Sequence, residues 1–151
     1  MNPTELEIGR VRNGAHVLAP GKRVPSEIVV RKEYSAGLRG LEKFSHIIVI
    51  FRFHKKLDTA LLVHPMRNPN LPEIGVFATR SPFRPAKIGV SVVRLEKIRG
   101  NVLSVDGLDA LDGTPVIDIK PYIPERDGPA KVRTPGWVRK EMKSNGEEAL
   151  R

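Results

Sequence analysis

Between Gly75 and Ser91 the chain reads GVFATRSPFRPAKIGVS, which sets three cations, Arg80, Arg84 and Lys87, around Pro82 and Pro85. Each proline fixes its own φ and biases the residue before it toward extended backbone. Arg80 and Arg84 are therefore predicted to stand on a stiff loop with little entropy left to lose on binding. Guanidinium groups held this way suit phosphate or carboxylate recognition, although the pattern also fits a solvated hairpin tip. A second set is acidic. Asp109 and Asp112 lie in LDALDG, residues 108–113, and there they either accept sugar hydroxyls or bond the backbone of their own turn. The third set alternates along PVIDIKPYI: Asp118, Lys120 and Tyr122 share one face of a predicted strand while Ile117, Ile119 and Ile123 share the other. Such a row offers proton-accepting and orienting groups, or no more than an ion pair on a sheet surface.

Other chemistries lack their residues. There is no Gly-x-Gly-x-x-Gly, no Gly-x-x-x-x-Gly-Lys, no His-Glu-x-x-His and no Gly-x-Ser-x-Gly. His16, His46, His54 and His64 are scattered and the chain has no cysteine, so neither a metal site nor a disulfide framework is expected. Ser81, directly before Pro82, has no base near it in sequence and reads as an ordinary turn serine.

The elements that must carry these groups are mostly strands. Period-two apolar alternation recurs in TELEIGRV, SEIVVR, HIIVIFRF, ALLVH, IGVFAT, IGVSVVRLEKI, NVLSVDG and PVIDIKPYI, separated mainly by Gly, Pro or Asn. Within this reading Val76 to Ala78 is strand, MRNPNLPE (66–73) is an exposed loop carrying Arg67, and SAGLRGLEKFSH holds one or two helical turns. About eight short strands without crossover helices predict a mostly β fold: a single closed, largely antiparallel β-barrel with one or two short helices. The barrel domain is expected over residues 1–124. A charged tail over 125–151, a short helix or a frayed end, belongs to the same unit.

Charge points to a polyanion. The chain has 151 residues, 26 Lys and Arg against 17 Asp and Glu, and a net charge of +9. From Arg10 to Arg39 seven cations face two acids, and from Arg52 to Asn101 ten face three; between Val102 and Pro124 four aspartates face Lys120 alone. A basic body with one acidic segment fits two ligands of opposite charge. With no apolar run long enough to span a membrane and no signal pattern in MNPTELEIG, the protein is expected to be soluble and cytoplasmic. These observations alone describe a small basic barrel of the kind that binds RNA.

Three blocks together, GLEKFSHIIVIFRFH, GVFATRSPFRP with IGVSVVRL, and LDALDGTPVIDIKPYIP, resemble the TsaA-like (TrmO-type) tRNA methyltransferases over about residues 4–124. What the resemblance implies is an S-adenosylmethionine-dependent, homodimeric β-barrel enzyme that methylates the exocyclic N6 of threonylcarbamoyladenosine beside the tRNA anticodon. It assigns cofactor contacts to His54, Lys55, Arg80, Val90, Leu108, Asp109, Ala110 and Leu111. On that assignment Asp109 suits ribose hydroxyls, Leu108 and Leu111 suit adenine, and Arg80 suits the methionyl carboxylate. Asp118, Lys120 and Tyr122 become the catalytic candidates, and Arg67, Arg84 and Lys87 the contacts to tRNA. This chain has Ala86-Lys87 where the family pattern reads Asn-Pro. Two other classes fit the same residues: a non-catalytic RNA-binding barrel, and a methyltransferase acting on a small molecule.

Overall fold

The computed structural model describes residues 7–19 and 22–149, with side chains through Lys143. Its eight strands are β1 Gly9–Arg12, β2 Val24–Val30, β3 His46–Arg52, β4 Leu62–Val63, β5 Ile74–Gly75, β6 Ile88–Arg99, β7 Val102–Leu108 and β8 Pro115–Pro121. Six of them close into a barrel in the order β1-β2-β7-β6-β3-β8, every neighbouring pair antiparallel. This is the closed barrel that the alternation predicts. Only β4 and β5 stand apart, as a two-stranded ribbon. Leu6, predicted on the first strand, lies outside the described residues.

Alternation explains the core. Ile28, Ile47, Val49, Leu103, Val105 and Val116 are all at most 2% exposed and fill the interior, as side chains must in so narrow a barrel. Two interior glycines make room for close approach. A Cβ on Gly9 would fall 2.4 Å from the Val29 carbonyl oxygen, and one on Gly89 would fall 2.5 Å from the ring of Phe51. Register shifts at Val24/Ser26, Ile50/Phe51 and Leu95/Lys97 insert extra residues that bend the strands into closure.

Two expectations need correction. On β8, Phe51 pairs with Val116 and Ile50 with Asp118, so Ile117 sits in a bulge and Val116 takes the interior position. Strict alternation therefore fails at Ile117, although Ile119 still packs on the core. Val76–Ala78 is a 3₁₀ turn rather than a strand. The Thr79 hydroxyl donates to the Val76 carbonyl at 2.7 Å, satisfying it within the turn instead of in a sheet ladder. The helical turns predicted after Tyr34 are 3₁₀ segments, Lys32–Leu38 and Leu41–Lys43, and the first contributes the buried Leu38. After β8 come α1, Pro124–Asp127, and α2, Gly136–Ala149. No helix among the described residues is long and apolar enough to cross a membrane.

Candidate functional site

The antiparallel order sorts the connections onto two poles. Residues 13–19, 22–23, 53–87 and 109–114 stand at one pole, while 31–45, the Gly100-Asn101 turn and the described chain after β8 stand at the other.

At the first pole Asp112 organises the backbone. Its Oδ1 accepts the N–H groups of Asn13 at 2.8 Å and Gly14 at 3.0 Å, so it binds a distant loop and not its own turn. These two bonds hold its pKa below the ordinary carboxylate value. Asn13 continues the link by donating from Nδ2 to the Ala110 carbonyl and to Ser26 Oγ, both at 2.9 Å. Thr114, 3% exposed, lies with Oγ1 3.2 Å from Nδ1 of His54, which joins the end of β3 to the same turn. Burial lowers the His54 pKa, Lys55 and Arg10 add to the depression, and Asp112 opposes it. Asp109 keeps a solvent-accessible edge, but the protein around its carboxyl desolvates it and raises its pKa, with Arg23 partly offsetting this. Among the described residues the Asp109 carboxylate has no hydrogen-bonding partner, which leaves it available to accept from a ligand.

The arginine loop is held by side chains. Arg84 turns inward, its Nη1 donating to the carbonyls of Thr79 at 3.1 Å and Ser81 at 3.2 Å. Ser81 Oγ accepts from the Phe83 N–H at 3.3 Å, the turn role expected of it. Lys87, at φ 56°, donates to the Asp58 carbonyl at 3.2 Å, and the Arg67 guanidinium lies 5.9 Å from the centre of the Phe83 ring. Arg80 is exposed and enters no hydrogen bond or ion pair with a described residue.

Residues 16–128 match the family model of the tRNA-methyltransferase O N-terminal domain. The chain belongs to this family. A human tRNA (adenine(37)-N6)-methyltransferase is 45% identical over 115 residues, covering 75% of this chain and 25% of the human protein. An S-adenosyl-L-methionine-binding protein of Archaeoglobus fulgidus is 48% identical over 102 residues, 68% of this chain and 72% of that protein. The crystal structure of TrmO from Pseudomonas aeruginosa superposes with a TM-score of 0.63 at 36% identity, over 84% of this chain and 58% of that one. The chain thus spans a quarter of the length of the human relative and little more than half of the Pseudomonas chain.

The residues expected from the sequence resemblance gather unevenly. His54, Lys55, Asp109, Ala110 and Leu111 stand in connections at the first pole, and Arg80 is in the long connection that reaches it. Leu108 ends β7 there but is fully buried, whereas Leu111 is partly exposed. Val90 points outward from the barrel wall and is 46% exposed. No hydrogen bond or ion pair joins Arg80 to Asp109. The row on β8 is not compact either. Lys120 Nζ lies 2.7 Å from Asp118 Oδ2, which raises the lysine pKa, whereas Tyr122 sits at the far pole, its N–H on the His46 carbonyl and its hydroxyl beside Gly128. Sequence reasoning missed Asn13 and Thr114, whose importance arises only from partners far along the chain. It also missed Phe77, an aromatic that is 76% exposed beside the arginine loop.

Proposed function

We propose that this chain transfers a methyl group from S-adenosylmethionine to the exocyclic N6 of threonylcarbamoyladenosine next to the tRNA anticodon, acting as a homodimer. The observation that carries the reading is the convergence at one pole of an unpartnered Asp109 carboxylate, a partly exposed Leu111 and the neutral-leaning His54. These residues fit the cofactor: Asp109 accepts ribose hydroxyls, Leu111 packs on adenine, and the free Arg80 guanidinium binds a carboxylate. When bound, the cofactor supplies an electrophilic methyl group on a sulfonium. The chain's task is then to align N6 with that methyl and to let the N6 proton leave.

Asp118 is the residue of the β8 row best placed to help. It flanks Ile50, whose other neighbour across the sheet is Val90, so Asp118 and Val90 stand level with each other on the two strands that border β3. Its ion pair with Lys120 fixes the direction of the carboxylate on the barrel wall. Arg67, Lys87 and the remaining N–H groups of Arg84 face tRNA phosphates or the threonyl carboxylate from the long connection.

Dimer formation has support on the outer wall. Ile48 pairs with Val92 and Ile50 with Val90, and the two valines are 43% and 46% exposed, which makes an apolar quartet of the kind that seeks a partner. Light scattering of the native chain against Val90→Glu tests it; a monomeric native chain rejects it.

The deciding experiment is incubation with labelled cofactor and tRNA that either carries or lacks the threonylcarbamoyl group. Label in the modified tRNA alone is expected. Calorimetry that detects no cofactor binding up to millimolar concentration would instead leave a non-catalytic RNA-binding barrel, and salt-insensitive tRNA binding would point to a small-molecule substrate.

A further inference from the structure

The pole opposite the site carries charge that the proposed reaction does not use. There the 3₁₀ segment Lys32–Leu38 and the β6–β7 turn enclose an open cleft of about 610 Å³, lined among others by Lys32, Ser35, Arg39, Glu42 and Asn101. Arg31 directly precedes that 3₁₀ segment, Lys43 ends the next one, and Lys97 and Arg99 lie on the end of β6 that leads into the turn. The acids nearby are already engaged. Glu42 accepts the Gly40 N–H at 2.9 Å, Glu33 pairs with Arg31 at 3.8 Å, and Glu96 pairs with Arg94. Among the described residues Lys32, Arg39, Lys43, Lys97 and Arg99 enter no ion pair, and Lys32 and Arg39 are both exposed. Lys32 and Arg39 line the cleft against Glu42 alone, and three further cations without an ion pair stand on the adjoining segments, an excess of positive charge that favours a ligand of many negative charges.

We propose that this far-pole cleft is a second RNA-binding surface, which grips the phosphodiester backbone of the tRNA whose modified nucleotide occupies the first pole. The inference rests on the proposed function for the identity of the RNA. Distance fits the proposal. Strand β3 runs from one pole to the other in seven residues, and at about 3.3 Å per residue the two surfaces lie roughly 23 Å apart. One RNA can span that gap along the barrel wall, whereas a single nucleotide cannot. Lysine and arginine side chains with no base-reading partner beside them suit backbone contacts that set register without reading sequence.

The test compares the full chain with a Lys32→Glu/Arg39→Glu double variant, both exposed positions outside the proposed cofactor site. Binding of fluorescent full-length tRNA is followed by anisotropy over a range of salt. The variant is expected to bind at least about 10-fold more weakly at 0.15 M salt, with the log–log salt slope flattened by about two units. It is expected to bind S-adenosylmethionine with native affinity, which shows the fold intact, and to bind a trinucleotide centred on the modified adenosine as the native chain does, since that ligand cannot reach the far pole. Unchanged tRNA affinity and slope overturn the inference, as does an equal loss with the trinucleotide. Because the readout is binding, it stands apart from the methylation assay: a native chain that methylates no tRNA rejects the proposed reaction without deciding this point.

Discussion

Asp112 Oδ1 accepts the backbone N–H of Asn13 at 2.8 Å, fastening the acidic turn before β8 to the loop that leaves β1. Replacing Asp112 by alanine removes this bond and the one from Gly14. The folded-state pKa lies below the ordinary 3.8, so the stabilisation is fully present above that value and is lost as pH falls through the folded pKa. The melting temperature of Asp112→Ala should therefore lie below native at pH 7 and rejoin it in strong acid. A gap that stays constant to the lowest pH at which the chain folds would count against this.

His54 should be largely neutral at pH 7. Its folded pKa is depressed from 6.5 by burial first and by Lys55 and Arg10 next, so stability is greatest above pH 6.5 and falls as pH drops through the folded value. NMR titration of the ring is expected to give a midpoint below 6.5, and Lys55→Met should raise it. A native midpoint at or above 6.5 contradicts the assignment.

Gly89 has no room for a side chain. A methyl group there meets Cε2 and Cζ of the buried Phe51 ring at 2.5 and 2.6 Å, and Phe51 stands edge-on to Phe53 at 5.5 Å, so neither ring yields easily. Urea unfolding of Gly89→Ala should show a loss of about 1–3 kcal/mol. Adding Phe51→Leu should recover part of it by opening the space; a double variant no more stable than the sum of its parts would refute the steric account.

Arg84 is expected to act on the loop before it acts on any ligand. One nitrogen, Nη1, reaches both the Thr79 and Ser81 carbonyls, and lysine, with a shorter stem and an ammonium free to rotate, lacks the planar group that aims those two N–H bonds. Hydrogen exchange over residues 79–85 should accelerate in Arg84→Lys while the strands keep native protection. Unchanged exchange in that segment would show that the prolines suffice.

The sequence revealed what repeats locally and hid what depends on distant partners. HIIVIFR and SEIVVR announce β3 and β2 because a narrow barrel buries every second side chain, and only the six-way closure turns that alternation into an architecture. The bulge at Ile117 was not legible, since an extra residue is set by what the neighbouring strand requires and not by its own type. That Asp109, Leu111 and His54 share one pole follows from the strand order and could not be read from their spacing. Asp112 looked like a residue serving its own turn because its true acceptor role is toward Asn13 and Gly14, 99 and 98 residues away. Arg84 was read as a free cation for a similar reason: the carbonyls it binds become neighbours only once the loop has folded.

The barrel is completed by its shortest join, where β1 meets β8 through two residue pairs, Gly9 with Val116 and Arg10 with Pro115. The zipper's last teeth therefore adjoin Thr114 and Asp112, and a nascent chain cannot own the pocket until its hundred-odd preceding residues have been made and the cylinder has shut. A ligand lodged against that join would act as a latch, slowing the opening of the whole wall.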